Sequence, residues 1–167
     1  KNIIDLMGGT ISVQSELERG STFTVELELA VANPSQDYDF WRSHGITRLL
    51  VVDDEEDICL EVQNAMDGTG VDVSYATCGA AAVAAAAQAH IRGQAFHIIL
   101  LDWKMPGMDG LEAARRIRQE VGSDVPILVL TSFDLESARE AGKDSGIDMF
   151  LPKPFFRSSF QRAVSQV

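Results

Sequence analysis

From Thr47 onward the hydrophobic pattern switches between two rhythms. Short segments that read as strands at Arg48–Val52, Val71–Ala76, Ile98–Leu101, Ile127–Leu130 and Asp148–Leu151 alternate with stretches of helical spacing. Those stretches are Glu56–Asp67, Ala80–Ile91, Leu111–Val121, Leu135–Asp144 and Arg157 to Val167. Continuous apolar runs bounded by turn residues mark strands buried on both faces. Five strand–helix pairs in succession predict a doubly wound α/β domain with a parallel sheet. The alanine-rich stretch Ala80–Ala89 fits a helix lying close against that sheet, since alanine is both the best helix former and small.

Ahead of this domain the rhythm differs. Lys1–Met7 reads as the end of a helix, with Ile3, Ile4 and Met7 on one side and Gly8-Gly9 as its stop. Thr10–Gln14 and Thr22–Leu29 alternate with period two, Phe23, Val25, Leu27 and Leu29 on one face, which predicts a hairpin turning at Arg19-Gly20-Ser21. From Ala32 to Gly45 the alternation lapses into Asn-Pro-Ser-Gln-Asp-Tyr and a polar tail, the composition of a linker. The expected organisation is an appendage over residues 1–31, a linker over 32–45 and the α/β domain over 46–167.

Composition narrows the functional classes. The 167 residues, 46% hydrophobic and 23% charged, are enough for one packed domain and an appendage. A formal net charge of -11 argues against a nucleic-acid surface, which needs clustered Lys and Arg, and suits a cation as small partner. Cys59 and Cys78 have no CxxC spacing, and His44, His90 and His97 are scattered along the chain, so zinc, disulfide and redox chemistry are not expected. No apolar run reaches the length of a membrane span and no signal segment opens the chain, so the expectation is a cytoplasmic fragment that starts in mid-sequence.

The chemistry sits where the apolar runs stop. In a parallel α/β sheet ligands bind beyond the carboxyl ends of the strands. Here those ends carry Asp53-Asp54-Glu55, then Asp102, then Thr131-Ser132, then Lys153 between two prolines. Singly, Asp102 could cap a turn, Thr131 could cap a helix and Lys153 could be a surface charge. Together an acid pair, an acid, a hydroxyl and an amine make an inventory for phosphoryl transfer: a carboxylate nucleophile, a metal site and two donors for the oxygens.

Val-Val-Asp-Asp-Glu (51–55), Leu-Leu-Asp-Trp-Lys-Met-Pro-Gly-Met-Asp-Gly (100–110), Leu-Thr-Ser (130–132) and Leu-Pro-Lys-Pro-Phe (151–155) resemble the four signatures of a two-component receiver domain. The resemblance covers residues 46–167. It implies a flavodoxin-like sheet of order 2-1-3-4-5, in which the first and third strands are neighbours, so that Asp53 and Asp54 lie beside Asp102. Three crowded carboxylates raise one another's pKa unless a hard cation or a lysine compensates, and Mg²⁺ fits. The family further implies that Asp102 accepts a phosphoryl group from a phosphohistidine. Asp54 would ligate Mg²⁺ directly, Asp53 would help through water, and the Lys104 carbonyl would complete the protein ligands. Lys153 and Thr131 would bind the phosphoryl oxygens, and Phe150 matches the aromatic that turns inward on phosphorylation. Trp103, next to the acceptor, would report on the metal, with Trp41 as linker background.

The first thirty residues resemble the last helix and hairpin of a histidine kinase ATP-binding domain, in Asp5–Ile11 and Gly20–Phe23. A receiver after such a tail suggests a hybrid sensor kinase, its parent membrane-anchored or not. The implied donor is the phosphohistidine domain of a histidine kinase, the parent chain's own, and a histidine phosphotransfer domain is the implied next station. Without the asparagine-bearing helix, the glycine-rich nucleotide boxes and the histidine-bearing helix, the fragment is not expected to bind ATP or use it. The uncovered hairpin face is expected to dock on its own receiver or to pair with a second chain as a dimer. Three rivals remain: a haloacid dehalogenase-type phosphatase, which needs an acid where Lys104 stands, a flavodoxin-like cofactor module, and a receiver that no longer takes a phosphoryl group.

Overall fold

The computed structural model describes residues 4, 8–28, 34–132 and 135–167, in two compact units that divide after Asn33. The expected helix end over residues 1–7 lies, apart from Ile4, outside the described residues. Its stop is described: Gly9 N–H donates to the Ile4 carbonyl at 2.9 Å across Gly8, whose φ is +72°.

The first unit is an antiparallel hairpin of β1 (Thr10–Glu16) and β2 (Gly20–Glu26), with Val13 opposite Phe23 and Ile11 opposite Val25. The alternation is as expected, but the turn is Leu17-Glu18-Arg19 and not Arg19-Gly20-Ser21. Gly20 opens β2 opposite Glu16 with φ +100°, a value that favours glycine, and Arg19 closes the loop on Glu16 at 2.9 Å. The glycine thus serves strand pairing beside the turn.

The second unit holds a five-stranded parallel sheet of β3 (Arg48–Val52), β4 (Asp72–Ala76), β5 (Ile98–Asp102), β6 (Ile127–Thr131) and β7 (Met149–Pro152), in the order β4-β3-β5-β6-β7. Counted within this sheet, that is 2-1-3-4-5. Successive strand residues point to opposite faces. Leu50, Val52, Ile99, Leu101, Ile127 and Val129 enter one core, with Ala82, Ala86 and Ala89 of α3 (Gly79–Ile91), Ala113, Ala114 and Ile117 of α4 (Gly110–Val121) and Ala138 of α5 (Leu135–Ala141). Leu49, Val51, Ile98, Leu100, Leu128 and Leu130 enter the other, with Cys59 and Val62 of α2 (Glu56–Ala65) and Phe160, Ala163 and Val164 of α6 (Arg157–Val164). These twelve strand side chains are at most 3% exposed, and each fully buried one contributes about 1.5–3 kcal/mol. Burial on both faces explains why β3, β5 and β6 read as unbroken apolar runs.

The expected linker over 32–45 is corrected by a helix, α1 (Pro34–Ser43), whose Trp41 is 0% exposed in the second core. Only Phe40 and Trp41 of its last turn are large and apolar, too few to produce a visible period, and the burial of one indole decided what the local pattern could not. Trp41 is therefore no linker background.

Candidate functional site

Because β3 and β5 are adjacent, with Val52 in register with Leu101, the acids that follow both strands meet at one edge. One carboxylate oxygen from each of Asp53, Asp54 and Asp102 falls within a 4.8 Å group, the only such cluster of three or more potential metal ligands among the described residues. Asp53 and Asp102 are buried and Asp54 is exposed. Lys153 Nζ reaches Asp53 Oδ2 at 2.8 Å and Asp102 Oδ1 at 2.7 Å. Its backbone N–H donates to the Thr131 carbonyl at 2.8 Å, which ties the loop after β7 to the end of β6.

The residues after Asp102 explain their own spacing. Trp103 N–H donates to the Leu130 carbonyl at 3.1 Å, and Gly110 N–H returns to the Trp103 carbonyl at 2.8 Å. Asp109 Oδ1 accepts the Glu112 N–H at 2.8 Å, capping α4. A Cβ on Gly110 would stand 2.3 Å from the Asp102 carbonyl oxygen, so the start of α4 can approach the strand end only as glycine.

A cleft of about 200 Å³ opens over the cluster, lined by Asp54, Asp102, Thr131 and Lys153, with Glu55, Trp103, Lys104 and Ser132 around them. Larger crevices of about 770 and 500 Å³ open at the other end of the sheet, where His44, His90 and His97 gather near the starts of β3 and β5. The acid cluster and Lys153 line the smaller cleft.

Burial pushes the Asp102 carboxyl above the ordinary range; the Lys153 hydrogen bond and charge oppose this, the charge of Asp53 adds to it, and the Lys104 N–H pulls down. Burial also pulls the Lys153 ammonium down, but its bonds to Asp102 and Asp53 outweigh that and hold it above its usual value. The two directions agree physically: a lysine bonded to two carboxylates is over-compensated, while Asp102, which shares that lysine, is under-compensated. Three acids against one amine leave an excess of two negative charges. An all-oxygen donor set with that excess fits a hard divalent cation such as Mg²⁺.

Every sequence-predicted site residue except Phe150 stands at this edge. Phe150 is buried on the α3, α4 and α5 side, its ring 6.1 Å from that of Trp103 and pressed against Gly142. Lys104 was expected to act through its carbonyl; its N–H bonds Asp102 and its Nζ lies 4.9 Å from the centre of the Trp103 ring. Sequence reasoning passed over Glu55, whose N–H donates to Asp53 Oδ1 at 3.0 Å, and Ser132 in the cleft wall. Both directly follow residues it had chosen. It also passed over Cys59, whose Sγ lies 3.6 Å from the Asp53 carbonyl, because only the packing of α2 brings them together.

The family model for the response regulator receiver domain matches residues 49–165. Response regulator MprA of Mycobacterium sp. (strain KMS) is 42% identical over 108 residues, 65% of this chain and 44% of that protein, so the chain spans less than half the length of this curated relative. The chemotaxis protein CheY4 of Vibrio cholerae superposes with a TM-score of 0.65 at 30% identity, covering 73% of this chain and 98% of that one. The receiver domain of the sensor histidine kinase PA1611 from Pseudomonas aeruginosa PAO1, solved with magnesium in its active site cleft, gives 0.62 at 30% identity, covering 72% and 96%. With the 2-1-3-4-5 sheet and the acid cluster at its carboxyl edge, these matches show that the chain belongs to the response regulator receiver domains of two-component signalling.

Proposed function

We propose that Asp102 is the phosphoacceptor of this receiver. The observation that carries the reading is the Lys153 ammonium, bonded to both Asp53 and Asp102 at the floor of a cleft whose wall includes Thr131. An Asp102 carboxylate oxygen attacks the phosphorus of a phosphohistidine; the new O–P bond forms as the P–N bond breaks, and the imidazole leaves with the electron pair. Lys153 and Thr131 hold the transferred oxygens. Mg²⁺, held by Asp54, Asp102 and the Lys104 carbonyl, with Asp53 helping through water, would neutralise charge on the phosphoryl group. Thr131 engaging the new oxygens would favour the inward Phe150 seen here, so that signalling is a shift in population.

The donor in this reading is the phosphohistidine domain of a histidine kinase, the parent chain's own, and a histidine phosphotransfer domain is the next acceptor, all in the cytoplasm. The exposed apolar face of the hairpin supports residues 1–31 as the end of a kinase ATP-binding domain, as does the likeness to a receiver from a sensor kinase. The burial of Trp41 supports a receiver unit that begins with the helix at Pro34. The test is incubation with acetyl phosphate and Mg²⁺. One base-labile phosphoryl adduct on the wild type and none on Asp102→Asn is expected; equal labelling of both would refute the assignment.

A further inference from the structure

The helix α1 lies outside the residues that match the receiver family, yet its Trp41 is fully buried in the receiver's core. The indole packs on Phe160 of α6 with ring centres 5.4 Å apart, and Phe40 meets it edge-on at 5.0 Å. Ahead of these two anchors the Tyr38 ring lies against Gly70, while Asp39, Arg42 and Ser43 are exposed. The helix is thus gripped through Tyr38 and its last turn.

That grip is connected to the site. Phe160 also packs on Phe155, with ring centres 5.5 Å apart, and Phe155 stands two residues after Lys153. A continuous series of contacts therefore runs from the ammonium between Asp53 and Asp102, through Phe155 and Phe160, to Trp41. The docked state also carries a cost: Trp41 Nε1 is buried with no hydrogen-bond partner among the described residues. A buried donor left without a partner favours whichever arrangement returns it to water.

We propose that α1 is a latch whose hold on the receiver loosens when the site takes up a phosphoryl group. This rests on the Asp102 reading. A dianion on Asp102 draws Lys153 toward the new oxygens; the short Lys153-Pro154-Phe155 segment moves with it, and the seat of Trp41 beneath Phe160 opens. Coupling of this kind is carried by packed side chains that have two arrangements. Since α1 precedes the sheet, the loosening hands the state of the site to whatever the chain carries ahead of Pro34.

The test uses the full chain labelled with 5-fluorotryptophan, its two tryptophans assigned by Trp41→Phe and read by fluorine NMR with Mg²⁺ and beryllofluoride. The bound fluoride resonance reports occupancy of the site in the same spectrum. The expected result is a bound resonance, a shifted Trp41 signal and amide exchange over residues 38–43 faster by roughly fivefold or more, the low end of usual couplings. In Phe155→Leu the fluoride should still bind while the Trp41 response shrinks. A bound resonance with Trp41 and the α1 amides unchanged, or more protected, overturns the latch and leaves the Asp102 reading intact. No bound resonance overturns the Asp102 reading, and the latch falls with it.

Discussion

The hairpin β1–β2 and the sheet β3–β7 end in opposite states. On the hairpin, Val13 is 57% exposed and Phe23 69%, whereas the apolar side chains of the inner strands β3, β5 and β6 are at most 3% exposed. The difference lies in what covers them. Six helices pack on the two faces of the sheet within its own unit. A two-stranded hairpin has too little surface to cover itself and is marginal alone in water. Apolar patterning thus states that a face wants cover; it does not supply the cover. The same contrast separates two segments that both look peripheral in the chain, since α1 joins a core while the hairpin presents its apolar side chains.

The strongest way to break the contrast is to exchange the roles of two aromatics. Trp41→Ala should lower the unfolding free energy of the receiver unit by about 3–5 kcal/mol, the cost of emptying a large core site. Phe23→Ser should change the same transition by no more than about 0.5 kcal/mol. Urea unfolding followed by circular dichroism decides this, and equal effects would mean that α1 is as dispensable as the hairpin.

A second comparison sets two glycines side by side. Gly110→Ala forces a Cβ against the Asp102 carbonyl and should cost about 1–3 kcal/mol while reducing acetyl phosphate labelling. Gly20→Ala has open space around it and should leave labelling untouched. Loss of labelling in neither variant would show that the approach of α4 does not position the acceptor.

The smallest expected effect concerns charge. The Asp102 pKa is higher in the folded protein than in the unfolded chain, so the folded state binds its proton more tightly. Stability therefore falls as pH rises from the ordinary carboxylate value through the raised one, which is the cost of ionising a buried carboxyl. Asp102→Asn removes that cost and should stabilise the protein by about 1 kcal/mol near pH 7 in the absence of metal. The gain should vanish as pH falls below the ordinary carboxylate range. A destabilised variant at pH 7 would mean that the Lys153 bridge outweighs the burial of the acid.

The sequence by itself determined the five strands, the helices between them and the residues at the strand ends, because the inner strands of a parallel sheet covered on both faces need unbroken apolar runs and the sheet places its chemistry where they stop. With a family resemblance added, it also specified the strand order. Three things were decided only in three dimensions. Lys153 is one hundred residues from Asp53, and no local pattern encodes that one ammonium is shared by two acids. Phe150 is buried because its side chain fills the space beside Gly142 and Trp103. Trp41 turned an apparent linker into a helix of the receiver, since a single large side chain finding a seat on Phe160 outweighs a polar composition and leaves no periodicity to read.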